Sequence, residues 1–340
     1  MQAWKHTGER KIELVTLPYS KIEDKEKAKV RIERALIAYS DFEIFNSQPN
    51  AEENITLGRY AVGAISERAE DISDGLDKGA RVVVSSWLPC GECPSCKAGK
   101  EESCPNVKRL GVDANGVFSD FVDLPLSALY KLPEVVSSED ALFVQHIALS
   151  LKGLDTINVD KGDHVAVFSD TNLGLVLCQL AIHYGAIPIL IQNDEEVIAN
   201  AKAMGIFYAF SYKTRGELEK KVLTVTGGRM CEKAIYVKNS DYPVKQIFNI
   251  CSYRADVAFL LGGDKTQGIN VNDVTEKEIT LKGINNGLGN YPAAINLLAT
   301  KVVNVDCLKG EKINFSQLGQ TLNELTPQQL KTKSIIVKAE

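Results

Sequence analysis

The amino-acid sequence predicts a two-domain α/β protein, because of its length and because two different patterns follow each other along the chain. At 340 residues the chain is longer than the usual size of a single hydrophobic core. Residues 1–150 are typical of short strands and turns, whereas strand and helix patterns alternate from residue 151 onward. Such alternation predicts a parallel sheet with helices on its faces.

The N-terminal part has three clear strand patterns. Residues 29–38 alternate between apolar and polar side chains, and residues 81–85 form a β-branched run. A third strand is predicted over residues 118–124. We therefore expect this part of the chain to be mostly β-structure.

The second part continues as strand and helix in turn, and the chain then returns to loop, one helix and a last strand. The predicted strands are 164–168, 187–191, 233–237, 256–261 and 334–338. The predicted helices are 173–184, 195–204, 244–251 and 292–299. These patterns divide the chain into residues 1–150, 151–283 and 284–340, the last of which returns to the first domain.

Composition and charge exclude several classes of function. A formal net charge of -5 and a pI of about 5.6 argue against nucleic acid as a partner, since no cluster of Lys and Arg offsets them locally. No run of about 18 apolar residues would span a membrane, and the N-terminus lacks the pattern of a secretion signal. We expect a cytoplasmic protein with no membrane partner.

Four of the eight cysteines lie within fifteen positions, at Cys90, Cys93, Cys96 and Cys104. Their spacing, C-x2-C-x2-C-x7-C, suits one tetrahedral zinc ion, and a complete set of four thiolates leaves no open position for chemistry. We therefore predict a structural zinc. A disulfide framework and an iron-sulfur cluster are the alternatives. The other four, which are scattered singly, are predicted to be buried thiols: Cys178, Cys231, Cys251 and Cys307.

The sequence resembles the medium-chain dehydrogenases of the zinc alcohol dehydrogenase type over essentially its whole length. The resemblance is carried by the cysteine lobe at 90–104, by residues 57–63 and 79–84, and by residues 162–165 leading into 173–174. It implies a GroES-like β-barrel domain with the zinc lobe and a Rossmann nucleotide-binding domain at 151–283. It also implies NAD or NADP as cofactor, a small alcohol, polyol or carbonyl compound as substrate, and a homodimer or homotetramer.

The resemblance fails at the catalytic zinc. The positions that match the family's three zinc ligands are Ala38, Arg59 followed by Tyr60, and Gln145. Alanine has no donor atom, arginine repels a cation, and glutamine and tyrosine are weak neutral ligands. We therefore predict that a catalytic zinc is absent.

Some neighbours of those positions still match the family. Ser40 matches the hydroxyl that relays the substrate proton, and Asp41 matches the carboxylate that supports a ligand histidine. We expect Asp41 and Arg59 to form an ion pair; the alternative is that Arg59 turns to solvent. Arg59 or Tyr60 could polarise a carbonyl oxygen, and His146 is a candidate proton donor whose alternative is a purely structural role.

The predicted cofactor site is altered as well. The segment that matches the glycine-rich turn keeps only its last glycine, Gly174, although hydroxyl and amide donors at a helix N-terminus still favour anions. The acidic residue expected to bind the ribose is replaced by Gln192, followed by Asn193, so neither NAD nor NADP is favoured. Lys213 and Arg215 could bind a 2'-phosphate or be ordinary surface charges. The full candidate set is Ser169, Thr171, Asn172, Leu173, Gly174, Gln192 and Asn193.

Two functions remain open from the sequence. The first is an NAD(P)-dependent oxidoreductase that keeps the structural zinc and works without a catalytic one, which Ser40 and the two-domain layout support. The second is a non-catalytic, dehydrogenase-like scaffold or regulatory protein, which the altered ligand positions and the weakened glycine turn support. A zinc-ribbon module for nucleic acid conflicts with the acidic charge.

Overall fold

The computed structural model describes residues 1–47, 55–70, 75–171, 173–237, 242–260 and 268–339. The chain forms two compact units. The first comprises Met1–Gln145 and Tyr291–Glu340, and the second comprises His146–Asn290.

Strands and helices alternate regularly only in the second unit. In chain order, the strands are Gln2–Gly8 (β1), Lys11–Thr16 (β2), Lys27–Ile37 (β3), Ile55–Thr56 (β4), Tyr60–Arg68 (β5), Arg81–Val84 (β6), Trp87–Leu88 (β7), Lys108–Arg109 (β8), Phe121–Pro125 (β9), Leu129–Lys131 (β10), His164–Phe168 (β11), Ile187–Ile191 (β12), Tyr208–Phe210 (β13), Cys231–Val237 (β14), Cys251–Leu260 (β15), Thr280–Ile284 (β16), Lys309–Asn314 (β17) and Ser334–Lys338 (β18). The α-helices are Tyr39–Phe45 (α1), Pro94–Lys97 (α2), Ser138–Ala141 (α3), Val144–Thr156 (α4), Leu173–His183 (α5), Glu195–Ala203 (α6), Arg215–Val225 (α7), Lys245–Ile250 (α8), Val271–Thr275 (α9), Tyr291–Ala299 (α10), Leu318–Glu324 (α11) and Pro327–Thr332 (α12).

The first unit is built on a sheet with the order β10-β6-β5-β3-β18-β17, in which β9 also pairs with β3. A three-stranded sheet, β2-β1-β4, and the two-stranded sheet β7-β8 complete it. Strand β3 is central because it pairs antiparallel with β5, β9 and β18. Through β18, the C-terminal end of the chain is part of the main sheet of the first unit. This agrees with the prediction that residues 284–340 return to the first domain.

The second unit is a parallel sheet of six strands, in the order β13-β12-β11-β14-β15-β16. All five residues of β11 are buried, which is typical of a strand covered on both faces. Helix α5 is buried along most of its length, and α6 begins at Asp194, whose side chain accepts the N–H groups of Glu196 and Val197. The predicted alternation is therefore present in the structure.

Several predicted boundaries differ from those in the structure. The strand predicted over 118–124 begins only at Phe121, because Phe118 bonds to other segments: its N–H donates to the Leu57 carbonyl at 2.8 Å. The strand predicted over 256–261 begins earlier, at Cys251, because Cys251 already pairs with Cys231 on β14. The predicted end of that strand, residue 261, lies outside the described residues.

The domain boundaries also differ, since the units change at 145/146 and at 290/291 rather than at 150 and 283. The reason is that α4 and the segment after β16 pack on each other. A Cβ atom added to Gly287 would lie 2.5 Å from the Leu149 nitrogen, and the Asn290 side-chain amide donates to the Ala148 carbonyl at 3.5 Å. No helix within the described residues is both long and apolar enough to cross a bilayer.

Candidate active site and metal site

The four cysteines of the 90–104 lobe converge as the sequence predicts. Their Sγ atoms all lie within 4.8 Å of one another, with separations of 3.5 Å for Cys93–Cys96, 3.9 Å for Cys93–Cys104 and 3.6 Å for Cys90–Cys104. A tetrahedral zinc with Zn–S bonds of about 2.3 Å requires sulfur atoms about 3.8 Å apart. The cluster is therefore compatible with a structural zinc.

Local turns of the chain produce this convergence. Cys93 caps helix α2, which begins with Pro94, and its Sγ accepts the Cys96 N–H at 3.4 Å. A short 3-10 turn over Glu101–Ser103 brings Cys104 back, where its Sγ accepts the Cys90 N–H at 3.4 Å. Strands β7 and β8 pair at the base of the lobe. Backbone N–H groups of Glu92 and Cys93 lower the pKa of Cys90 to about 6, which favours the thiolate that a metal binds.

A second group of candidate residues follows the segment Leu57–Gly58, whose backbone is held between two parts of the chain. The Gly58 carbonyl accepts the Val117 N–H at 3.0 Å, and the Leu57 carbonyl accepts the Phe118 N–H at 2.8 Å. Gly58 has a φ of +97°, and an added Cβ there would lie 2.6 Å from the Phe118 ring. The residues that follow, Arg59 and Tyr60, therefore start from a fixed backbone.

Arg59 and Gln145, at two of the matched ligand positions, are connected through Ser86. The Arg59 guanidinium donates to Ser86 Oγ at 3.4 Å, and the Ser86 N–H donates to Gln145 Oε1 at 3.2 Å. The buried Tyr291 hydroxyl donates to the same Gln145 oxygen at 2.8 Å, and its ring stacks on Tyr130 with centroids 4.5 Å apart. This network offers a metal no thiolate, carboxylate or imidazole, so these residues do not fit a catalytic zinc.

The predicted ion pair between Asp41 and Arg59 is wrong. Asp41 is fully buried, and its Oδ2 accepts the Ala38 N–H at 3.0 Å, where it caps helix α1. Its Oδ1 has no hydrogen-bond partner among the residues that the structure describes. Burial raises the pKa of Asp41 to about 7, although the Ala38 N–H and the charge of Arg59 oppose this. The alternative, that Arg59 turns to solvent, is wrong as well, because Arg59 is half-buried against the rings of Tyr60 and Trp87.

The raised pKa of Asp41 predicts a pH-dependent stability. Because the folded pKa of about 7 exceeds the ordinary aspartate pKa of 3.8, the folded state binds more protons between these pH values, so stability falls as pH rises through this window. The variant Asp41→Asn should lack this loss and gain about 2–4 kcal/mol over the wild type between pH 4 and pH 8. Urea unfolding at several pH values measures the difference. The exposed control Asp160→Asn should follow the wild type, and parallel curves for Asp41→Asn would disprove the assignment.

Ser40 and Tyr60 lie together, with their hydroxyl oxygens 3.5 Å apart. Both are half-buried, and either can donate to the other, so the pair can share or pass a proton. His146 belongs to the second unit, where it lies on α4 and its carbonyl accepts the Ser150 hydroxyl at 2.8 Å. Within the first unit, the structure thus brings Ser40 together with Tyr60.

The candidate cofactor turn joins β11 to α5. Ser169 Oγ donates to the Thr171 carbonyl at 3.1 Å and accepts the Thr171 N–H at 3.3 Å, so these groups hold the turn itself. Gly174 is required there, since an added Cβ would lie 2.8 Å from the Ser169 Cβ. Leu173 is buried, and Asn172 lies outside the described residues. The strand, tight turn and helix of a nucleotide site are present, and the close approach at Gly174 fits it.

Gln192 holds the ends of two neighbouring strands instead of presenting a free side chain. It is buried, its Nε2 donates to the Ser169 carbonyl at 2.8 Å, and its Oε1 accepts the N–H of Asn193 at 2.7 Å. Arg215 forms an i,i+4 ion pair with Glu219 at 2.6 Å on the surface of α7. The structure therefore gives Gln192 a structural contact with the turn and Arg215 a local partner.

Four residues of this network in the first unit were not predicted from the sequence: Ser86, Trp87, Tyr130 and Tyr291. No spacing or motif marks these residues, because they come from β7, β10, α10 and a turn that are distant in sequence. The one available signal is that Ser85–Ser86 interrupts a run of apolar residues directly after a strand.

Comparisons with known proteins agree with this architecture. Residues 24–134 match the family model of the alcohol dehydrogenase GroES-like domain, and residues 173–300 match the model of the zinc-binding dehydrogenase. An uncharacterized zinc-type alcohol dehydrogenase-like protein of Haemophilus influenzae is 27% identical over 271 residues, 79% of each chain. Sorbitol dehydrogenase of Bacillus subtilis is 23% identical over 317 residues, 91% of this chain and 88% of the relative.

The solved structures show the same fold. A short chain alcohol dehydrogenase of Escherichia coli CFT073, complexed with NADH, superposes with a TM-score of 0.86 at 20% identity and covers 99% of both chains. The fold thus defines a two-domain protein of the dehydrogenase type, with a GroES-like and a Rossmann-like domain, and the predicted fold class is confirmed. The chain belongs to the medium-chain dehydrogenase/reductase family.

Proposed function

We propose that this protein is an NAD(P)-dependent oxidoreductase for a small alcohol, polyol or carbonyl compound, with a structural zinc and without a catalytic one. The observation that carries the proposal is the Ser40–Tyr60 hydroxyl pair beside Arg59, on a backbone held by Gly58. The relatives with alcohol and sorbitol dehydrogenase names support the substrate class. The homodimer or homotetramer remains a prediction from the family resemblance.

The absence of a catalytic zinc is supported by the residues at the three matched positions. Ala38 offers no side-chain donor, Gln145 Oε1 already accepts two hydrogen bonds, and Arg59 brings a positive charge to the place where a cation would bind. The chemistry therefore has to be carried out by hydroxyl groups and a guanidinium.

In the proposed mechanism, side chains of this protein transfer the proton of the substrate hydroxyl and stabilise the negative charge on the substrate oxygen. When bound, the nicotinamide of NAD(P) supplies the hydride acceptor or donor. Ser40 accepts the proton from the substrate hydroxyl as it donates its own proton to Tyr60, across the 3.5 Å between their oxygens, and the half-buried Tyr60 hydroxyl releases its proton to water. The fixed charge of Arg59 stabilises the negative charge that develops on the substrate oxygen. In the second unit, Ser169, Thr171 and Gly174 form the turn that would hold the nucleotide.

The scaffold or regulatory function is the second candidate, and one specific observation favours it. Ser169 Oγ and the Gln192 side chain, which could bind a nucleotide, both bond within the turn itself. A protein of this kind would keep the zinc lobe and both folds but would bind no nucleotide.

Two measurements test the enzyme function. Fluorescence titration with NADH and with NADPH should show saturable binding of at least one nucleotide, and no binding of either would favour the scaffold. In a turnover assay with short alcohols and polyols, Ser40→Ala should lower kcat by about 100-fold, because the proton relay is lost. The control Ser47→Ala, at the exposed end of α1, should retain wild-type kcat.

A further inference from the structure

Arg59 is half-buried, and its charged guanidinium has few hydrogen-bond acceptors among the described residues. A guanidinium has five N–H donors, and the described residues give Arg59 one acceptor, Ser86 Oγ, at the long distance of 3.4 Å. Its Nε is buried without a hydrogen-bond partner in the described part of the chain. Buried donors are normally paired, so this guanidinium has unused capacity to bind a ligand.

The nearby carboxylates do not neutralise Arg59. Among the described residues no carboxylate lies within ion-pair distance of Arg59. Its charge nevertheless acts to lower the pKa of both Asp41 and Asp113. Asp113 is bound by Arg109, whose Nε and second guanidinium nitrogen donate to its two oxygens at 2.7 and 3.0 Å. Asp41 uses Oδ2 to cap α1, and burial raises its pKa to about 7, so its carboxyl group is charged only in part near neutral pH. Among the described residues, Arg59 therefore has no carboxylate partner of its own.

The surroundings of Arg59 favour an anionic partner with two oxygens. Its guanidinium carbon lies 5.9 Å from the centre of the Tyr60 ring and 5.8 Å from that of Trp87. Aromatic rings attract the charge of a guanidinium without accepting hydrogen bonds in its plane, and a pair of its N–H groups matches two oxygens of a carboxylate or phosphate. The Ser86 hydroxyl can donate to the same group.

We propose that Arg59 binds an anionic group of the substrate, a carboxylate or a phosphate, with Ser86 as a second donor. Arg59 is adjacent to Tyr60, whose hydroxyl pairs with Ser40. The anionic group therefore lies only a few bonds from the carbon that is oxidised or reduced. The substrate class becomes a short hydroxy or oxo compound that carries a carboxylate or phosphate. The identification of the bound anion as a substrate rests on the proposed function. Binding of the anion at Arg59 does not itself require turnover.

Trp87 provides a direct readout of ligand binding at Arg59. The chain has two tryptophans, Trp4 and Trp87, so a Trp4→Phe background leaves Trp87 as the sole reporter. The nucleotide-free full chain is titrated with lactate, with glycerol 3-phosphate and with neutral glycerol, at constant ionic strength set by chloride. At least one anion should change the Trp87 emission saturably in the millimolar range, and glycerol should not. The two anions distinguish a carboxylate site from a phosphate site.

Variants of Arg59 decide whether this residue is responsible. Arg59→Gln should weaken anion binding at least tenfold. Arg59→Lys should have an intermediate effect, because lysine keeps the positive charge but cannot form the bidentate hydrogen bonds of a guanidinium. The control Arg10→Gln removes a guanidinium that also lies on a ring, that of Phe45, but already donates to Asn46 and to the Asn323 carbonyl; it should bind like the wild type. Thermal unfolding and zinc content verify that each variant is folded.

The outcomes separate this inference from the proposed function. Equal affinities in the wild type and Arg59→Gln, or no saturable change with either anion, would overturn the anion site even if NADH binds and Ser40 matters for turnover. Conversely, an Arg59-dependent anion response without any nucleotide binding would support the anion site and reject the oxidoreductase. If Arg59→Gln does not fold, the comparison of Arg59→Lys with the wild type still decides the question, and equal affinities in these two would count against the anion site.

Discussion

Replacing Cys96 with serine should lower the zinc content of the purified protein from about one ion per chain to near zero, because three thiolates no longer complete the tetrahedral site. The lobe at 90–104 contains one helix of four residues and one 3-10 turn, so we expect a metal bound by the cysteines to supply most of its order. Trypsin should then cut after the exposed Lys97 or Lys100 at least tenfold faster than in the wild type. Metal analysis and timed proteolysis measure the two effects.

Cys307→Ser is the matched control for this experiment. Cys307 is half-buried and lies outside the cluster, so its replacement should leave the zinc content and the tryptic pattern unchanged. Retention of zinc by Cys96→Ser would contradict the four-thiolate site. A wild-type content near two ions per chain would contradict the prediction that Ala38, Arg59 and Gln145 bind no metal.

Replacing Gly58 with alanine should lower the unfolding free energy by about 2–4 kcal/mol. Its φ of +97° disfavours a side chain, and the added Cβ would lie 2.6 Å from the Phe118 ring and 2.8 Å from the Phe118 nitrogen. The segment that carries Arg59 and Tyr60 must move to relieve this clash. We therefore expect weaker anion binding as well as lower stability.

Gly79→Ala separates the two causes of this effect. Gly79 has a similar φ of +89°, but an added Cβ would meet nothing within 4 Å, so only the backbone strain of about 1 kcal/mol should appear. Urea unfolding followed by tryptophan fluorescence reports on the first unit, since Trp4 and Trp87 both lie there. Equal losses for Gly58→Ala and Gly79→Ala would show that the Phe118 contact is not rigid.

The second unit was the more predictable half of the fold. The strands over 164–168 and 187–191 have the predicted bounds, because parallel strands buried on both faces appear as continuous apolar runs. The first unit was harder, since strands of two residues such as β4, β7 and β8 leave almost no periodic pattern. Their pairing depends on partners far along the chain.

The same contrast holds for the candidate sites. The cysteine cluster could be found from spacing alone, because three of its cysteines lie within seven consecutive residues, at a spacing that suits a metal of fixed geometry. The surroundings of Arg59 could not be found in this way. The resemblance predicted that Asp41 and Arg59 would lie near each other, but it could not predict that Asp41 would turn back to cap α1.

The sequence by itself determined the family fold and the cysteine cluster, and it predicts the loss of the three catalytic ligands, since each depends on the residue types at particular positions. Only the tertiary structure showed which groups occupy the neighbourhood of those positions. Ser86, Gln145 and Tyr291 come from distant segments, and hydrogen bonds among them connect to the guanidinium of Arg59. Whether that charge is paired depends on distances and burial across the folded chain, which no local pattern of residues encodes.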